Sequence, residues 1–393
     1  MAGGEGTSDE ARAGAEGLAI PAFLPLVAPP IVIFSFTRPD YLGRLCQSLK
    51  AQEGVAVTGR QMHLMQDGSR SPRSGVVYGD PALIERSIAV FREHFPEGTV
   101  HASPENLGVA MNIQRGEELV FRRLHAEIGY FFEEDLELGP WYLCMLEEMR
   151  RQLGPHPEVG YIAAYGDHAI PSDPAAPRLV PLEHHWGFGL TRRCWKAMQP
   201  WLEPFLQVYA EVDYRARPDL RIVELYAEKA VAHTASSQDV AKTMACADLG
   251  FARINTDVCY ARYIGALGES FRPADFSVLG FDEMAYVTAP PAQPPVITRT
   301  AVDEIIRMKR EACVEHRRHA FDAELAAMRQ RLSNPDRPVT REQLDTLWLL
   351  LMDRLPDDEE YYRQNVGLIS LREVRRALLQ SDEAKAKSCY MLP

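Results

Sequence analysis

Short apolar runs alternate with amphipathic segments through the first third of the chain. The run 31–36 (IVIFSF) is apolar or aromatic at almost every position, which is typical of a strand buried on both faces. Further strands are predicted at 62–68, 99–102 and 129–138, and the segments between them have helical periodicity. Strands that alternate with helices in this way predict an α/β fold built on a mixed, mostly parallel sheet flanked by helices.

Polar side chains follow three of these predicted strands. In such sheets, ligands bind at the carboxyl ends of the strands, so these side chains are candidates for a site. Thr37 is also expected to cap the helix after the first strand, because Pro39 suits the first turn of a helix. The three candidate stretches are Thr37-Arg38, Asp67-Gly68 and Glu133-Glu134-Asp135.

The middle of the chain continues the alternation. A helix is expected at 141–153, a strand at 160–164, and a strand leading into a helix at 184–195, with a Pro/Asp-rich loop at 170–182. The segment 236–251 (SSQDVAKTMACADLGF) has serines at its start, an aspartate in its first turn and a glycine near its end. This pattern predicts a capped helix.

Composition changes near both ends of the chain. Residues 1–28 have no apolar periodicity and are expected to form a disordered lead-in. Residues 29–290 are expected to form the α/β domain. After a proline cluster, residues 291–393 predict an all-helical appendage, with one long amphipathic helix at 301–332 and a small helical module at 340–383.

Charge and cysteine content narrow the function classes. The formal net charge of −12 over 393 residues argues against a nucleic-acid or anionic-membrane binder. The seven cysteines have no CxxC spacing, which favours a reduced compartment and argues against a disulfide framework. No apolar run is long enough for a membrane span and no signal peptide is evident, so a cytoplasmic location is expected.

The chain places three carboxylates next to one another at the end of a predicted strand, those of Glu133, Glu134 and Asp135. Three adjacent carboxylates repel one another unless a cation lies nearby. Along a strand, Glu133 and Asp135 would project to one side and Glu134 to the other. Mn²⁺ and Mg²⁺ bind oxygen ligands and often share one or two carboxylates with substrate phosphates. The stretch is therefore either a metal site or the solvated end of a strand.

Two other stretches also have both a functional and a purely structural interpretation. Asp67 either accepts hydrogen bonds from a base or ribose, or belongs to an ordinary Asp-Gly turn. Asn106 and Gly108 precede a helix whose N-terminus either faces a diphosphate or is simply capped.

The stretch HHWGFG (184–189) offers aromatic rings and close backbone approach. At most one of the paired histidines 184–185 is able to bind a given metal, because they face opposite ways on a strand. Trp186 and Phe188 either form a wall for a sugar ring or pack in the core, while Gly187 and Gly189 permit close contact.

The order of these motifs resembles that of the GT-A fold nucleotide-sugar glycosyltransferases. The motifs FSFTRP, QDGS, NLGVAMN, FFEEDLEL, WGFGL and SQD run collinearly over about residues 30–270. The resemblance is greatest to the N-acetylglucosaminyltransferase of N-glycan branching and to bacterial family-two relatives. It implies a UDP-sugar donor, Mn²⁺ or Mg²⁺, and transfer to a hydroxyl of a glycan or small-molecule acceptor.

The resemblance also assigns residues. Asp135 would bind the metal, Glu133 and Glu134 would contact ribose or metal-bound water, and Asp239 would be the catalytic base. A single base implies one displacement with inversion. The remaining contacts implied for the nucleotide-sugar are Thr37, Arg38, Asp67, Asn106, Gly108 and Asn112, and those for the acceptor or sugar are Trp186, Gly187, Phe188 and Gly189.

The sequence departs from the family pattern at some positions. Gln238 stands where an acid or tryptophan is usual, and EED replaces DxD or EDD. Asp239 also has a purely structural interpretation, as an aspartate at a helix N-terminus that the helix dipole stabilises. Glu211 and Asp213 are alternative candidates for the catalytic base. A third metal ligand is sought in His233 or in the loop 265–268.

Two competing functions remain open. A nucleotidyltransferase that makes a nucleotide-sugar would need a Gly-rich basic loop after the first strand, where this chain has TRPDYLGR. The second competing function is that of a glycosyltransferase-like binding protein without catalytic activity. The module at 340–383 resembles a helical module appended to bacterial glycosyltransferases, for which dimerisation or partner docking is expected, including a homodimer through the C-terminal helices.

Overall fold

The computed structural model describes residues 28–266, 273–334 and 336–383. The expected lead-in at 1–28 therefore lies almost wholly outside the described residues. The strands within the described part are β1 (Ile31–Ser35), β2 (Met62–Gln66), β3 (Thr99–Ala102), β4 (Ile128–Glu133), β5 (Leu136–Leu138), β6 (Val159–Ile162), β7 (Leu179–Pro181), β8 (Gly187–Thr191), β9 (Ala252–Thr256) and β10 (Ala261–Tyr263).

Helices alternate with these strands and then dominate the C-terminal region. They are α1 (Pro39–Lys50), α2 (Pro81–His94), α3 (Val109–Glu118), α4 (Tyr142–Arg151), α5 (Arg192–Glu211), α6 (Asp219–Leu225), α7 (Gln238–Leu249), α8 (Pro273–Val278), α9 (Arg299–His319), α10 (Phe321–Ser333), α11 (Arg341–Met352), α12 (Glu359–Asn365) and α13 (Leu371–Gln380).

Eight strands form one sheet in the order β3-β2-β1-β4-β8-β6-β9-β7. Strands β1 to β4, β6 and β9 run in one direction, whereas β8 and β7 are antiparallel to their neighbours. Every residue of β1 is buried, as expected for a central strand with a continuous apolar run. The predicted fold class, a mixed and mostly parallel sheet flanked by helices and followed by C-terminal helices, is confirmed.

Two local predictions need correction. The expected single helix at 301–332 is two helices, α9 and α10, which meet at Ala320, where the backbone leaves the helical conformation. Tertiary hydrogen bonds hold the chain on the N-terminal side of this break, because Arg317 Nη2 donates to Ala227 O at 3.0 Å. Thr37 does not cap α1, since Arg38 occupies the N-cap position and makes no side-chain capping bond.

The helices α11 to α13 form a separate small core, which we call the C-terminal module (residues 336–383). Its buried side chains are Val339, Leu344, Trp348, Met352, Tyr362, Val374 and Leu378. Its role in dimerisation stays a prediction. Among the helices of the described residues, none combines the length and the apolar character that crossing a bilayer requires.

Candidate active site

Three neighbouring strands end at the same edge of the sheet. The parallel register pairs Ser35 with Gln66 and Phe34 with Glu133. The three turns that follow β1, β2 and β4 therefore leave the sheet side by side. This edge brings together the three polar stretches that the sequence analysis singled out.

Arg38 links the first and third of these stretches. Its Nε donates to Glu134 Oε1 at 2.7 Å, and its Nη1 donates to Asp135 Oδ2 at 2.9 Å. The backbone N–H of Phe36 adds a 3.1 Å bond to Glu134 Oε2. Because β4 ends at Glu133, strand alternation does not separate the next two side chains, and both reach the same guanidinium. The expectation that Glu134 and Asp135 face opposite ways is corrected.

Asp135 has one carboxylate oxygen without a partner. Its Oδ2 bonds Arg38 and lies 3.5 Å from the Tyr263 hydroxyl, which is able to donate to it. Its Oδ1 is buried and has no hydrogen-bond partner within the part of the chain that the structure describes. The backbone passes so close that a Cβ atom at Gly265 would lie 2.8 Å from Asp135 Oδ2. An unpaired buried carboxylate oxygen is costly unless a cation or donor occupies the adjoining space.

The charges around Arg38 and Glu133 show how acidic this edge is. Burial lowers the pKa of Arg38, but the charges of Asp135 and Glu134 outweigh burial and raise that pKa above its ordinary value. Burial raises the pKa of Glu133 well above its ordinary value, and the charges of Asp135 and Asp239 raise it further. No described residue donates a hydrogen bond to the Glu133 carboxylate. The acids at this edge therefore act on one another as well as on Arg38.

Asp239 approaches this edge from a different part of the chain. It is the second residue of α7, whose N-cap is Ser237, so it lies in the first turn as predicted. A carboxylate at that position is stabilised by the helix dipole. Its charge acts on Glu133 and also on Tyr214, whose pKa burial raises to about 12. The carboxylate of Asp239 has no hydrogen-bond partner among the described residues, so it is available to a substrate.

Asp67 is occupied by the protein itself. Its Oδ1 accepts from the N–H groups of Gly68 at 2.9 Å and Leu107 at 2.8 Å, and its Oδ2 accepts from Gly108 N at 3.0 Å. Asn106 Nδ2 adds a contact of 3.3 Å to Oδ2. Since a carboxylate offers about four acceptor positions, Asp67 mainly fixes the turn before α3. Its contact with a base or ribose stays a prediction.

The neighbours of Asp67 are likewise engaged in shaping this turn. Gly108 is the N-cap residue of α3 with φ +78°, and a Cβ atom there would lie 2.8 Å from Tyr214 Cβ. Asn112 is buried, with its Nδ2 donating to Met65 O at 3.0 Å. Thr37 lies beside Gly79, where an added Cβ would come within 2.5 Å of its methyl group. The N-terminus of α3 and Thr37 border the edge, and their contacts with a nucleotide stay predictions.

The two rival bases are both held by ion pairs or hydrogen bonds. Asp213 is buried and accepts hydrogen bonds from Ser71 Oγ and Ser74 Oγ, and from the Tyr78 hydroxyl at 2.8 Å. Glu211 is exposed and pairs with Arg221 at 2.6 Å. Asp213 thus fastens the loop 71–78 to the end of α5, and Asp239 is the freer carboxylate.

The expected aromatic wall is mostly core. Trp186 stacks between His184 and Tyr263, with ring centroids 4.1 Å and 4.3 Å away and both interplanar angles 9°. Both of its faces are therefore covered by protein. Phe188 is buried against Phe131 and other rings. The physical reason is that β8 is an internal strand of the sheet, so its side chains face the layers on either side.

The glycines of β8 allow neighbouring core side chains to pack closely against this strand. An added Cβ at Gly187 would lie 2.6 Å from Leu136 Cδ2, and one at Gly189 would lie 2.8 Å from Ile162 Cγ1. The structure therefore places Gly187 and Gly189 against core side chains instead of an open sugar surface.

The search for a third metal ligand finds no preformed set. His233 Nδ1 accepts from Ala235 N at 2.9 Å, and its ring packs near His316. Within residues 28–266, 273–334 and 336–383, no group of three or more His, Cys, Asp or Glu side chains is arranged to hold a metal. In the loop 265–268, residues 267 and 268 lie outside the described residues.

A buried ion pair behind α7 was not anticipated from the sequence. Lys242 Nζ donates to Glu117 Oε1 at 2.5 Å, and both side chains are almost fully buried. The pair ties α7, which carries Asp239, to α3, which begins at the turn held by Asp67. The signal in the sequence was weak, since one lysine and one glutamate 125 positions apart do not reveal their contact.

Comparisons with known proteins give only distant structural likenesses. No family model and no curated protein matches the chain. The S. aureus TarS crystal structure is similar with TM-score 0.36 and 10% identity, covering 92% of this chain and 53% of that one. The TarS 1–349 structure has TM-score 0.36 and 12% identity, covering 92% and 90%. This chain thus spans about half the length of the longer TarS chain.

A third likeness covers less of the chain. A galactosyltransferase LgtC in complex with donor and acceptor sugar analogues has TM-score 0.23 and 12% identity, covering 45% of this chain and 65% of that one. At such scores the likenesses assign no function. An assignment therefore rests on the geometry of the site.

Proposed function

We propose that this chain is an inverting, metal-dependent glycosyltransferase that transfers a sugar from a UDP-sugar to an acceptor hydroxyl. The observation that carries the proposal is that Asp135 and Asp239 both act on Glu133 at one sheet edge, while the buried Asp135 Oδ1 and the Asp239 carboxylate have no hydrogen-bond partner among the described residues. The order of motifs along the sequence supports the same interpretation.

The donor set fits a hard divalent cation. Mn²⁺ and Mg²⁺ are often held by one or two carboxylates together with substrate phosphates, so a preformed set of three ligands is not required. Asp135 Oδ1 is a buried oxygen without a partner among the described residues, and the charge of Asp135 acts on the neighbouring Glu133 carboxyl group. When bound there, a divalent cation neutralises the charge that develops on a departing diphosphate.

Arg38 and Asp239 would perform the remaining work. The guanidinium of Arg38 fixes the carboxylates of Glu134 and Asp135 and places a permanent positive charge at the strand ends. Asp239 would accept the proton of the acceptor hydroxyl as the oxygen attacks the sugar. With one base and no covalent intermediate on the protein, the sugar carbon is attacked once and its configuration inverts.

The experiment compares Asp135→Asn with the control Glu137→Gln. Glu137 lies two residues further along the chain but pairs with Arg44 at 2.5 Å and Arg262 at 2.8 Å, outside the proposed site. Calorimetric titration with UDP, with and without Mn²⁺, measures binding, and release of UDP from a panel of UDP-sugars measures turnover. We expect Asp135→Asn to abolish both the Mn²⁺-dependent binding and turnover, while the control retains them. Full activity in Asp135→Asn would overturn the metal assignment.

Asp239→Asn tests the base separately. We expect turnover to fall by at least roughly 10²-fold while UDP binding persists. Near-normal turnover would exclude Asp239 and return attention to Glu211 and Asp213. Binding of UDP by the wild-type chain without transfer from any donor would instead favour an inactive binding protein.

A further inference from the structure

The C-terminal module touches the segment that leads into the candidate site. Its first helix, α11, is capped by Thr340 and has Glu342 in its first turn. Glu342 is half-buried, and its Oε1 accepts from the backbone N–H of Asp219 at 3.1 Å. Asp219 is the first residue of α6 in the α/β domain. This contact joins the module to the domain that carries the site.

From Asp219, direct contacts continue to the start of α7. The hydroxyl of Ser236 donates to Asp219 Oδ1, and Arg217 Nε donates to Ser236 Oγ at 2.9 Å. The carbonyl oxygen of Ser236 accepts from the buried Tyr209 hydroxyl at 2.7 Å. Ser236 is therefore held on both its side chain and its backbone, three residues before Asp239.

A second set of contacts reaches the same point through Tyr214. The hydroxyl of Tyr214 accepts from the backbone N–H of Gln238 at 3.2 Å, and the guanidinium of Arg217 lies 4.4 Å from the Tyr214 ring centroid. Gln238 is the residue immediately before Asp239. The segment 214–219 thus lies between the module and the first turn of α7, and contacts both.

We propose that Glu342 of the C-terminal module is a positioning residue that, through Asp219 and Ser236, holds the first turn of α7 and with it the carboxylate of Asp239. The role of Asp239 as base rests on the function proposed above, whereas the contact path does not. Glu342 lies two contacts from Ser236, three residues before Asp239. Such an orienting group matters because transfer is sensitive to misplacement of about 1 Å.

The protonation of Glu342 makes this contact depend on pH. Burial, together with the charge of Asp219, raises the pKa of Glu342 to about 7. The facing charged groups are Asp219 and Arg217, and Arg341 and Asp345 lie near on its own helix. Because the folded pKa exceeds the ordinary 4.5, the stabilisation is complete at low pH and is lost as pH rises through about 7.

The test uses hydrogen exchange of the amides at 236–242 in the full chain at pH 6 and pH 8, corrected for intrinsic exchange. In the wild type, we expect exchange of this segment to increase at pH 8. Glu342→Ala removes the acceptor and should raise exchange about fivefold over wild type at pH 6, which corresponds to one net hydrogen bond, and by less at pH 8, where the wild type has itself lost this stabilisation. Glu342→Gln keeps the acceptor and is never charged, so its exchange should change little between the two pH values.

Glu360→Ala is the matched control, because Glu360 is an exposed glutamate of the same module that pairs with Arg363. It should leave exchange at 236–242 unchanged. In transfer assays, Glu342→Ala should lower kcat with little change in the KM of the donor, and Glu342→Gln should restore kcat. Wild-type exchange at 236–242 in both Glu342 variants at both pH values would overturn the proposal. Absence of transfer by the wild type would overturn only the proposed function, since the exchange measurement would still decide the positioning.

Discussion

The buried pair of Lys242 and Glu117 allows a prediction whose size follows from the structure. Lys242→Met keeps the length of the side chain but removes its charge, which leaves the fully buried Glu117 without a counterion. Burial raises the pKa of Glu117 above its ordinary value of 4.5 even with Lys242 present, because desolvation disfavours the carboxylate. In the variant, Glu117 is therefore expected to take up a proton when the chain folds.

The cost of that proton sets the magnitude. Unfolded chains ionise Glu117 above pH 4.5, so keeping it neutral in the folded state costs about 1.36 kcal/mol for each pH unit above that value. This cost is about 3.4 kcal/mol at pH 7 and about 0.7 kcal/mol at pH 5. The sign follows from proton linkage: the folded variant binds a proton that the unfolded chain lacks, so its stability falls as pH rises.

Urea unfolding at pH 5, 6 and 7 measures this slope directly. The wild type should show a shallower slope, because Lys242 counteracts the effect of burial on the pKa of Glu117. The double variant Lys242→Met with Glu117→Gln is the control, because it removes the titrating carboxyl group and should show no such slope. A loss in Lys242→Met that is the same at pH 5 and pH 7 would refute the reasoning, since it would mean that Glu117 stays charged or finds water.

Three further variants test other parts of the site. Arg38→Met leaves the buried carboxylates of Glu134 and Asp135 without their ion pairs and should lower the free energy of unfolding by about 3 kcal/mol. Added Mn²⁺ should raise the melting temperature of this variant more than that of wild type. Equal shifts in the two proteins would argue against a cation at Asp135. Asp213→Asn replaces an acceptor oxygen by a donor and should speed tryptic cleavage in loop 71–78 several-fold. An unchanged cleavage rate would contradict the inference that Asp213 fastens this loop to the end of α5. Gly108→Ala forces a positive φ and should lower the free energy of unfolding by about 1–3 kcal/mol, and a loss below about 0.5 kcal/mol in denaturant unfolding would contradict this.

Local patterns predicted the parts of the fold that depend on local interactions. The strand β1 at Ile31–Ser35 and the helix α7 ending at Gly250 follow from a continuous apolar run and a left-handed glycine at the C-cap. The same patterns missed β9, which is short and carries the buried polar residues Arg253 and Asn255 among its apolar ones. They also gave only the start of α5, because Pro200 and Pro204 interrupt its periodicity.

The candidate site was predictable only as a set of strand ends. Its members were found because the carboxyl ends of parallel strands share an edge. The side chains that these members contact were not predicted, because each contact joins distant parts of the chain. Arg38 was expected to line a nucleotide pocket, yet it pairs with Asp135, 97 residues away. Asp67 was considered both as a ligand contact and as part of a turn; its oxygens hold the turn at Leu107 and Gly108, and the ligand contact stays a prediction. Such pairings depend on tertiary geometry that periodicity does not encode.

The charge balance at the sheet edge links these observations to the proposed chemistry. Four carboxyl groups meet there, those of Glu133, Glu134, Asp135 and Asp239, against the one guanidinium of Arg38. Burial and the charges of Asp135 and Asp239 raise the pKa of Glu133, as expected for an acid in a cluster of acids. A diphosphate entering this edge alone would be repelled, and a divalent cation would be attracted most strongly when the diphosphate is also present. Because such coupling is reciprocal, UDP should tighten Mn²⁺ binding by the factor by which Mn²⁺ tightens UDP binding. Independent binding of the two in calorimetry would therefore count against a shared site at Asp135.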